Sequence, residues 1–282
     1  TTRGTFDFLK RRLGLLALGP DEAEEVGRVR ERMIASPFDF ERHTLLVVPT
    51  DGPGAAAFAD GTTSGEGVGR GPGASSSARE RDLRRASGDG VAERVLEVAE
   101  MTDGGLFVLF TSHTALRHTG EALRRAGAEG RWPLFVQGED ARHRLVEHFV
   151  SSSRGILLGT SSFWEGVDVP GHPLRGLIIH KLPFRVPTEP ITAARMEAVQ
   201  AVGGDPFRDF MLPHAALRLK QGFGRLVRSQ KDRGVVLVLD DRLVTRRYGR
   251  YLRSSLPPAP LVKGMWPDVR RRVEDFYGSD SS

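Results

Sequence analysis

After residue 90, short apolar runs alternate with longer amphipathic segments. The apolar runs are residues 106–110, 134–137, 156–159, 177–180 and 235–239. Apolar positions recur at helical spacing in residues 91–101, 114–126, 141–150, 190–202, 206–226 and 243–252. Strands that are apolar throughout and alternate with helices predict an α/β fold, in which helices cover both faces of a mostly parallel sheet. In such a sheet, ligands bind beyond the carboxyl ends of the strands.

The first 50 residues are expected to begin the same domain. Residues 4–13 place Phe6, Leu9 and Leu13 at helical spacing, and residues 21–34 resemble a charged, solvated helix. Residues 44–48 form a short apolar run with the composition of a buried strand. The chain therefore contributes at least one strand before its character changes.

Residues 51–90 differ from the rest of the chain in composition. Ten of the 33 glycines fall in this stretch, and its large apolar residues are only Phe58, Val68 and Leu83. Such a segment buries too little apolar surface to offset the entropy lost on ordering. We expect a flexible insertion over 51–90, between the start of the domain (1–50) and its main body (91–282).

The composition favours a protein that binds phosphate groups. The chain has 282 residues, of which 39% are hydrophobic and 27% charged, so a buried core is feasible. Its formal net charge is +5, and only five of its 41 basic residues are lysine. An excess of arginine suits phosphate oxygens. The chain has no cysteine and no apolar run long enough to span a membrane, so we expect a cytoplasmic protein without thiolate metal sites.

The most specific chemical pattern is a polar stripe on the predicted helix 206–226 and its extension. At 100° per residue, Gln221, Arg225 and Arg228 share one narrow face. Two arginines and a glutamine on one face suit an anion, although a solvated basic face is the alternative. Gly222 and Gly224 each cost a helix about 1 kcal/mol relative to alanine, so we expect close backbone approach there.

A second pattern follows the predicted strand 156–159. Thr160 and Ser161 leave the strand, and Glu165 and Asp168 lie in a loop bounded by glycine and proline. The hydroxyl and backbone N–H groups suit phosphate or sugar contacts, and the two carboxylates could equally form a general acid and base pair. The aromatic pair 163–164 is expected in the core rather than stacked on bases.

A third pattern ends the predicted strand 106–110. Thr111 and Ser112 come immediately before a predicted helix. They are expected either as simple helix N-caps or as hydroxyls that present a helix N-terminus to a phosphate.

These three patterns, in this order, resemble motifs IV, V and VI of superfamily 2 helicases of the DinG/XPD-like branch. The resemblance extends to the segments 36–39, 136–139, 162–171, 178–184 and 234–242, and covers nearly all of the chain outside 51–90. It implies a RecA-like fold of the P-loop-NTPase type. It also implies one of the two RecA-like domains that close around ATP and step along single-stranded DNA, typically 5′ to 3′.

The resemblance also implies roles for individual residues. Arg225 and Arg228 match arginine fingers that reach ATP phosphates, and Gln221 matches the glutamine that begins motif VI. The counterparts of motif V, which couples the nucleotide to the DNA strand, are Glu165, Gly166 and Asp168. The counterparts of residues that contact the DNA backbone are Thr111, Ser112, Thr160 and Ser161.

The chain departs from the family pattern in two motifs. It has no Gly-x-x-x-x-Gly-Lys-Ser/Thr segment and no Asp-Glu-Ala-His box. The resemblance therefore implies that ATP with Mg²⁺ is bound mainly by a missing first domain, and that any Fe–S cluster belongs to that domain. Asp240 and Asp241 are interpreted as the end of the strand after motif VI rather than as a Walker B element. We expect a second motor domain that begins just after motif III and is inactive alone.

Other functions remain open at this stage. One is a non-catalytic module that binds single-stranded nucleic acid or a protein; the others are an RNA helicase domain and a DinG-like nuclease. The pairs His143/His148 and His113/His118 have five-residue spacing, which places them about 140° apart on a helix, so neither pair is expected to share a metal.

Overall fold

The computed structural model describes residues 5–13, 30–34, 36–52, 74–160, 163, 174–224, 226 and 232–278. Within these ranges, seven parallel strands form one sheet with the order β3-β4-β2-β5-β6-β1-β7. The strands are β1 (Thr44–Pro49), β2 (Leu106–Leu109), β3 (Leu134–Val136), β4 (Ile156–Gly159), β5 (Gly176–Ile179), β6 (Gly234–Val238) and β7 (Leu261–Gly264). The predicted α/β fold is confirmed.

Helices connect the strands and cover the sheet. They are α1 (Asp7–Arg12), α2 (Phe40–His43), α3 (Ala74–Thr102), α4 (His113–Arg125), α5 (Arg142–Ser152), α6 (Pro190–Ala201), α7 (Leu212–Phe223), α8 (Arg242–Thr245), α9 (Arg247–Ser254) and α10 (Trp266–Gly278). A 3₁₀ turn (Ala128–Gly130) precedes β3, and a π-helix (Pro206–Met211) precedes α7. Across the described ranges, no helix is both long and apolar enough to cross a membrane.

The core lies in two layers, one on each face of the sheet. Side chains alternate between the faces along each strand, so Leu46 and Val48 of β1 join one layer while Leu45 and Val47 join the other. All six residues of β1 are buried, as are the four of β2 and of β4. Burial on both faces explains why these strands are continuous apolar runs in the sequence.

Helix α3 begins earlier than the sequence predicted. Residues 74–90 were expected within a flexible insertion, but they form the first part of α3. Alanine, arginine, glutamate and leucine, all strong helix formers, are frequent between residues 78 and 86. Gly88 lies against α4, where an added Cβ would come within 2.9 Å of His118 Cβ. Residues 53–73, the rest of the predicted insertion, lie outside the described residues.

Other elements also differ from the sequence predictions. The segment 206–226 divides into the π-helix and α7, and 243–252 divides into α8 and α9 at Arg246, whose backbone is extended (φ −94°, ψ 148°). Residues 30–34 of the predicted N-terminal helix 21–34 are irregular, and 21–29 lie outside the described part of the chain. Strand β7 was not predicted, because Leu261–Gly264 is a half-exposed edge strand.

Candidate functional site

The polar residues that follow the strands lie at one edge of the sheet. All the strand pairs are parallel, so their carboxyl ends point the same way. The first polar residues after six of the strands are Thr50, Thr111, Gln137, Thr160, His180 and Asp240. Three of the residues predicted as DNA contacts, Thr111, Ser112 and Thr160, therefore follow the neighbouring strands β2 and β4.

Thr160 is held at the end of β4 by the residue that follows the adjacent strand β3. Oε1 of Gln137 accepts a hydrogen bond from the Thr160 backbone N–H at 2.6 Å and another from its hydroxyl at 3.0 Å. The same hydroxyl lies 3.5 Å from Nε2 of His113, and Thr160 is only 3% exposed. The role of Gln137 was not predicted, although its segment 136–139 was among those carrying the family resemblance.

Ser112 caps helix α4. Its backbone is extended (φ −143°, ψ 131°), and its hydroxyl oxygen accepts a hydrogen bond from the Ala115 N–H at 3.4 Å. The simpler of the two predicted roles, the N-cap, is thus confirmed. Thr111 and Ser112 are both exposed beside the amino end of α4, where helix N–H groups favour negative charge.

Several predicted site residues lie outside the described part of the chain. They are Ser161, Glu165, Gly166, Asp168, Arg225 and Arg228. Of the aromatic pair 163–164, Phe163 is 1% exposed and packs edge-on against Phe107, with ring centroids 6.3 Å apart. Its predicted place in the core is confirmed, whereas Trp164 lies outside the described residues.

Gln221 lies on the last turn of α7 and is exposed. Leu219 and Phe223 of the same helix are buried in the core layer that contains β1 residues Leu46 and Val48. The predicted amphipathic face is therefore present as far as the described residues extend. Among the described residues, an added Cβ at Gly224 would lie 3.5 Å and 3.8 Å from the carbonyl oxygens of Lys220 and Gln221.

Asp240 follows β6 and is fully buried. One of its carboxylate oxygens accepts from Arg242 Nε at 2.8 Å, and the other accepts from Arg242 Nη2 at 2.6 Å and from the Leu182 N–H at 2.9 Å. A carboxylate so engaged with a guanidinium does not fit a Mg²⁺ site, which supports the interpretation that this strand is not a Walker B element. Burial, reinforced by the charge of Asp240, raises the pKa of Asp241.

The described ranges contain no cluster of three or more histidine or acidic side chains that could hold a metal ion. The Asp240–Arg242 pair instead links the ends of β5 and β6, since Leu182 follows β5 and Asp240 follows β6. This carboxylate therefore stabilises the carboxyl edge of the sheet by holding the ends of β5 and β6 together.

His180 follows β5 near the middle of the same edge. It is 3% exposed, its ring lies 5.4 Å from that of Phe110, and neither ring nitrogen has a hydrogen-bond partner among the described residues. Burial, together with the positive charge of Lys181 and against the opposing charge of Asp240, lowers the pKa of His180 to about 4. His180 is therefore a neutral imidazole at neutral pH.

Comparison with known proteins places this architecture among helicase domains. Residues 95–259 match the family model described as the helicase C-terminal domain. The chain is 39% identical over 261 residues to the ATP-dependent DNA helicase YoaA of Escherichia coli, which covers 91% of the chain and 34% of the relative. It is 45% identical over 174 residues to the ATP-dependent helicase DinG of Mycobacterium tuberculosis, which covers 61% of the chain and 26% of the relative.

A solved XPD helicase structure has the same fold. It superposes with a TM-score of 0.52 at 14% sequence identity, over 86% of this chain and 41% of that one. The seven-stranded parallel sheet is thus the RecA-like arrangement that the sequence resemblance implied. The chain spans about a third or less of the length of the curated relatives named above.

Proposed function

This chain belongs to the helicase C-terminal domain family of DinG-like ATP-dependent helicases, and on that premise we propose that it is the second motor domain of a DNA helicase that moves 5′ to 3′. In this proposal it supplies arginine fingers for ATP hydrolysis and part of the track for single-stranded DNA. The parent enzyme acts in the cytoplasm, where ATP and DNA are both available.

The observation that carries the DNA part of the proposal is the set of hydroxyls at the edge of the sheet. Thr111 and Ser112 follow β2 and Thr160 follows its neighbour β4, and Ser161 is the next residue in the sequence. Hydroxyls and helix N–H groups bind phosphate oxygens without reading sequence. We expect successive backbone phosphates to contact this edge of the sheet. The hydroxyl of Thr160 is buried, so we expect this residue to act mainly by positioning the backbone around it.

The proposed nucleotide contacts come from motif VI. Arg225 and Arg228 stabilise negative charge that develops on the transferred phosphoryl group, because a guanidinium placed there interacts more strongly with the transition state than with bound ATP. Gln221 orients the contact between these arginines and the phosphates. The motif V residues Glu165, Gly166 and Asp168 couple the nucleotide to the DNA strand. ATP with Mg²⁺ is held mainly by the first domain, as is any Fe–S cluster.

The proposal is tested by ATP hydrolysis measured with and without single-stranded DNA. The chain is assayed alone and then mixed with a separately expressed P-loop domain of the same family. We expect no turnover from the chain alone and DNA-stimulated turnover in the mixture. Arg225→Ala and Arg228→Ala should each abolish that turnover, whereas Arg272→Ala, which removes an exposed arginine of α10, should not.

Two results would contradict the proposal. Hydrolysis by the chain alone would mean that it contains a complete nucleotide site. Wild-type turnover by either finger variant in an active mixture would remove that arginine from the reaction. The same assay repeated with single-stranded RNA tests the choice of DNA, since backbone contacts alone do not distinguish the two.

A further inference from the structure

Three aromatic rings from separate parts of the chain meet beside the carboxyl edge of the sheet. Phe184 lies in the segment after β5, Phe207 in the π-helix, and Tyr248 in α9. The centroids of Phe184 and Phe207 are 5.7 Å apart with the rings inclined by only 29°, and Tyr248 packs edge-on against both, at 5.6 Å and 5.4 Å. We call these three residues the aromatic cluster.

The aromatic cluster is only partly buried in the hydrophobic core. Phe184 and Tyr248 are half-buried and pack against the core layer on one face of the sheet. Phe207 is 39% exposed, although an aromatic ring that serves only packing gains most when it is fully covered. One ring of the cluster is thus available at the surface and is held in place by two others.

Each ring of the aromatic cluster has an arginine next to it in the chain. Arg185 follows Phe184, Arg208 follows Phe207, and Arg246 and Arg247 precede Tyr248. Arg208, Arg246 and Arg247 are exposed and form no ion pair with a carboxylate of the described residues. Arg185 lies at the limit of an ion pair, 4.0 Å from Glu189, and its buried Nε has no hydrogen-bond partner among the described residues.

The position of the aromatic cluster relates it to the hydroxyls at the edge. Phe184 lies a few residues beyond the end of β5, and Tyr248 follows β6 through the short helix α8. Strand β5 is the neighbour of β2, which Thr111 and Ser112 follow. The cluster and the hydroxyls therefore both lie in segments that follow the carboxyl ends of adjacent strands.

From this arrangement we propose that Phe207, supported by Phe184 and Tyr248, is a base-stacking platform for single-stranded nucleic acid. Exposed arginines next to these rings in the chain, Arg208 and Arg247, would bind the phosphates of the same strand. The inference rests on the proposed function, because it extends the same DNA track. An exposed ring stacks on any base, and guanidinium groups around it bind the adjacent phosphates, which is the combination used for sequence-independent binding of single strands.

The test uses fluorescence anisotropy of the 282-residue chain with two labelled probes. One is an oligodeoxythymidylate, and the other is an abasic oligodeoxynucleotide of the same length. Phe207→Leu keeps apolar bulk but removes the aromatic face, and should weaken binding to the oligodeoxythymidylate about tenfold. It should leave binding to the abasic probe unchanged, and Phe207→Trp should retain wild-type affinity.

The matched control is Leu261→Ala, which alters a side chain of similar exposure (38%) on the edge strand β7. It should change neither affinity. Arg208→Gln and Arg247→Gln should weaken binding to both probes, and each should reduce the slope of log affinity against log salt by about 0.7.

Two results would contradict base stacking by Phe207. In one, Phe207→Leu binds the oligodeoxythymidylate with wild-type affinity; in the other, its affinity falls by the same factor for both probes. In either case, a wild-type chain that still binds the single strand leaves the proposed function standing. A wild-type chain that binds neither probe overturns both the platform and the DNA track.

Discussion

One side-chain oxygen, Oε1 of Gln137, accepts hydrogen bonds from both the backbone N–H and the hydroxyl of Thr160. The two residues follow the neighbouring strands β3 and β4, so this contact fixes one carboxyl end against the other. It also determines where the chain leaves β4 towards the proposed motif V.

Gln137→Leu removes the acceptor but keeps the approximate size of the side chain. The Thr160 N–H and hydroxyl are then left without that partner in a buried site, and we expect the free energy of unfolding to fall by about 1–3 kcal/mol. Urea denaturation measures this loss. On the proposed function, affinity for single-stranded DNA should fall as well.

The control for this variant is Gln200→Leu, which changes an exposed residue of α6. It should alter neither stability nor DNA affinity. Equal behaviour of the two variants would show that Gln137 does not position the end of β4.

The buried pair Asp240–Arg242 is expected to be costly to break. Asp240→Ala leaves Arg242 without its carboxylate and the Leu182 N–H without its acceptor. We expect the free energy of unfolding to fall by about 3 kcal/mol, because removing one partner of a buried ion pair also removes the main compensation for the other charge. The double variant Asp240→Ala/Arg242→Ala should lose less than the sum of the two single variants.

An exposed ion pair provides the comparison. Arg131 and Glu100 are 2.7 Å apart at the surface, and Glu100→Ala should cost at most about 1 kcal/mol. If Asp240→Ala lowers the free energy of unfolding no more than Glu100→Ala does, the contacts of Asp240 between β5 and β6 are not a major source of stability.

His180 should make the stability depend on pH. Because burial lowers the pKa of His180 to about 4 from 6.5, the unfolded chain takes up a proton at this residue below pH 6.5, whereas the folded chain does so only near pH 4. Its contribution to stability is therefore complete above pH 6.5 and is lost as the pH falls towards 4. The loss should amount to about 3 kcal/mol across this window.

The measurement is the free energy of unfolding at several pH values for wild type and for His180→Leu. The difference between their slopes isolates His180 from the carboxylates that titrate in the same range. His143→Leu, at an exposed position of α5, is the control for the substitution itself. A His180→Leu slope equal to that of wild type would contradict the prediction.

Gly88 tests whether α3 packs against α4 before residue 91. An alanine Cβ at this position would lie 2.9 Å from His118 Cβ and 3.2 Å from the His118 carbonyl carbon, so the helices must separate. We expect Gly88→Ala to lower the free energy of unfolding by about 1–3 kcal/mol despite the better helix propensity of alanine. Gly130→Ala, where an added Cβ meets nothing within 4 Å, should be neutral.

The central strands were predictable because they are buried on both faces. A fully buried parallel strand must be apolar at every position, so β2, β4 and β6 are visible in the sequence alone. Strand β7 lies at an edge and contains Lys263, so it lacks that pattern. The break at Arg246 has no proline to mark it, and the glycine that lets α9 pack closely on α8 is inside α9, at Gly249, so α8 and α9 were predicted as one helix.

Site residues could be predicted from the sequence only where they immediately follow a strand. Thr111, Ser112 and Thr160 could be placed at the ends of strands from the apolar runs that precede them. The contact between Gln137 and Thr160 depends on which strands are neighbours, and the meeting of Phe207 with Tyr248 depends on how α9 returns to the π-helix. Both contacts join residues that are distant in the sequence, so the pattern of apolar and polar residues along one chain does not predict them.

The position of β1 in the sheet has a consequence for synthesis of the protein. This strand is made well before its two neighbours in the sheet, β6 and β7. Its buried apolar residues stay without strand partners until Gly234 and then Leu261 have left the ribosome. Because such distant pairing is slow and leaves apolar surface uncovered, nascent chains of this domain should depend on chaperones, and chains that end before β6 should aggregate.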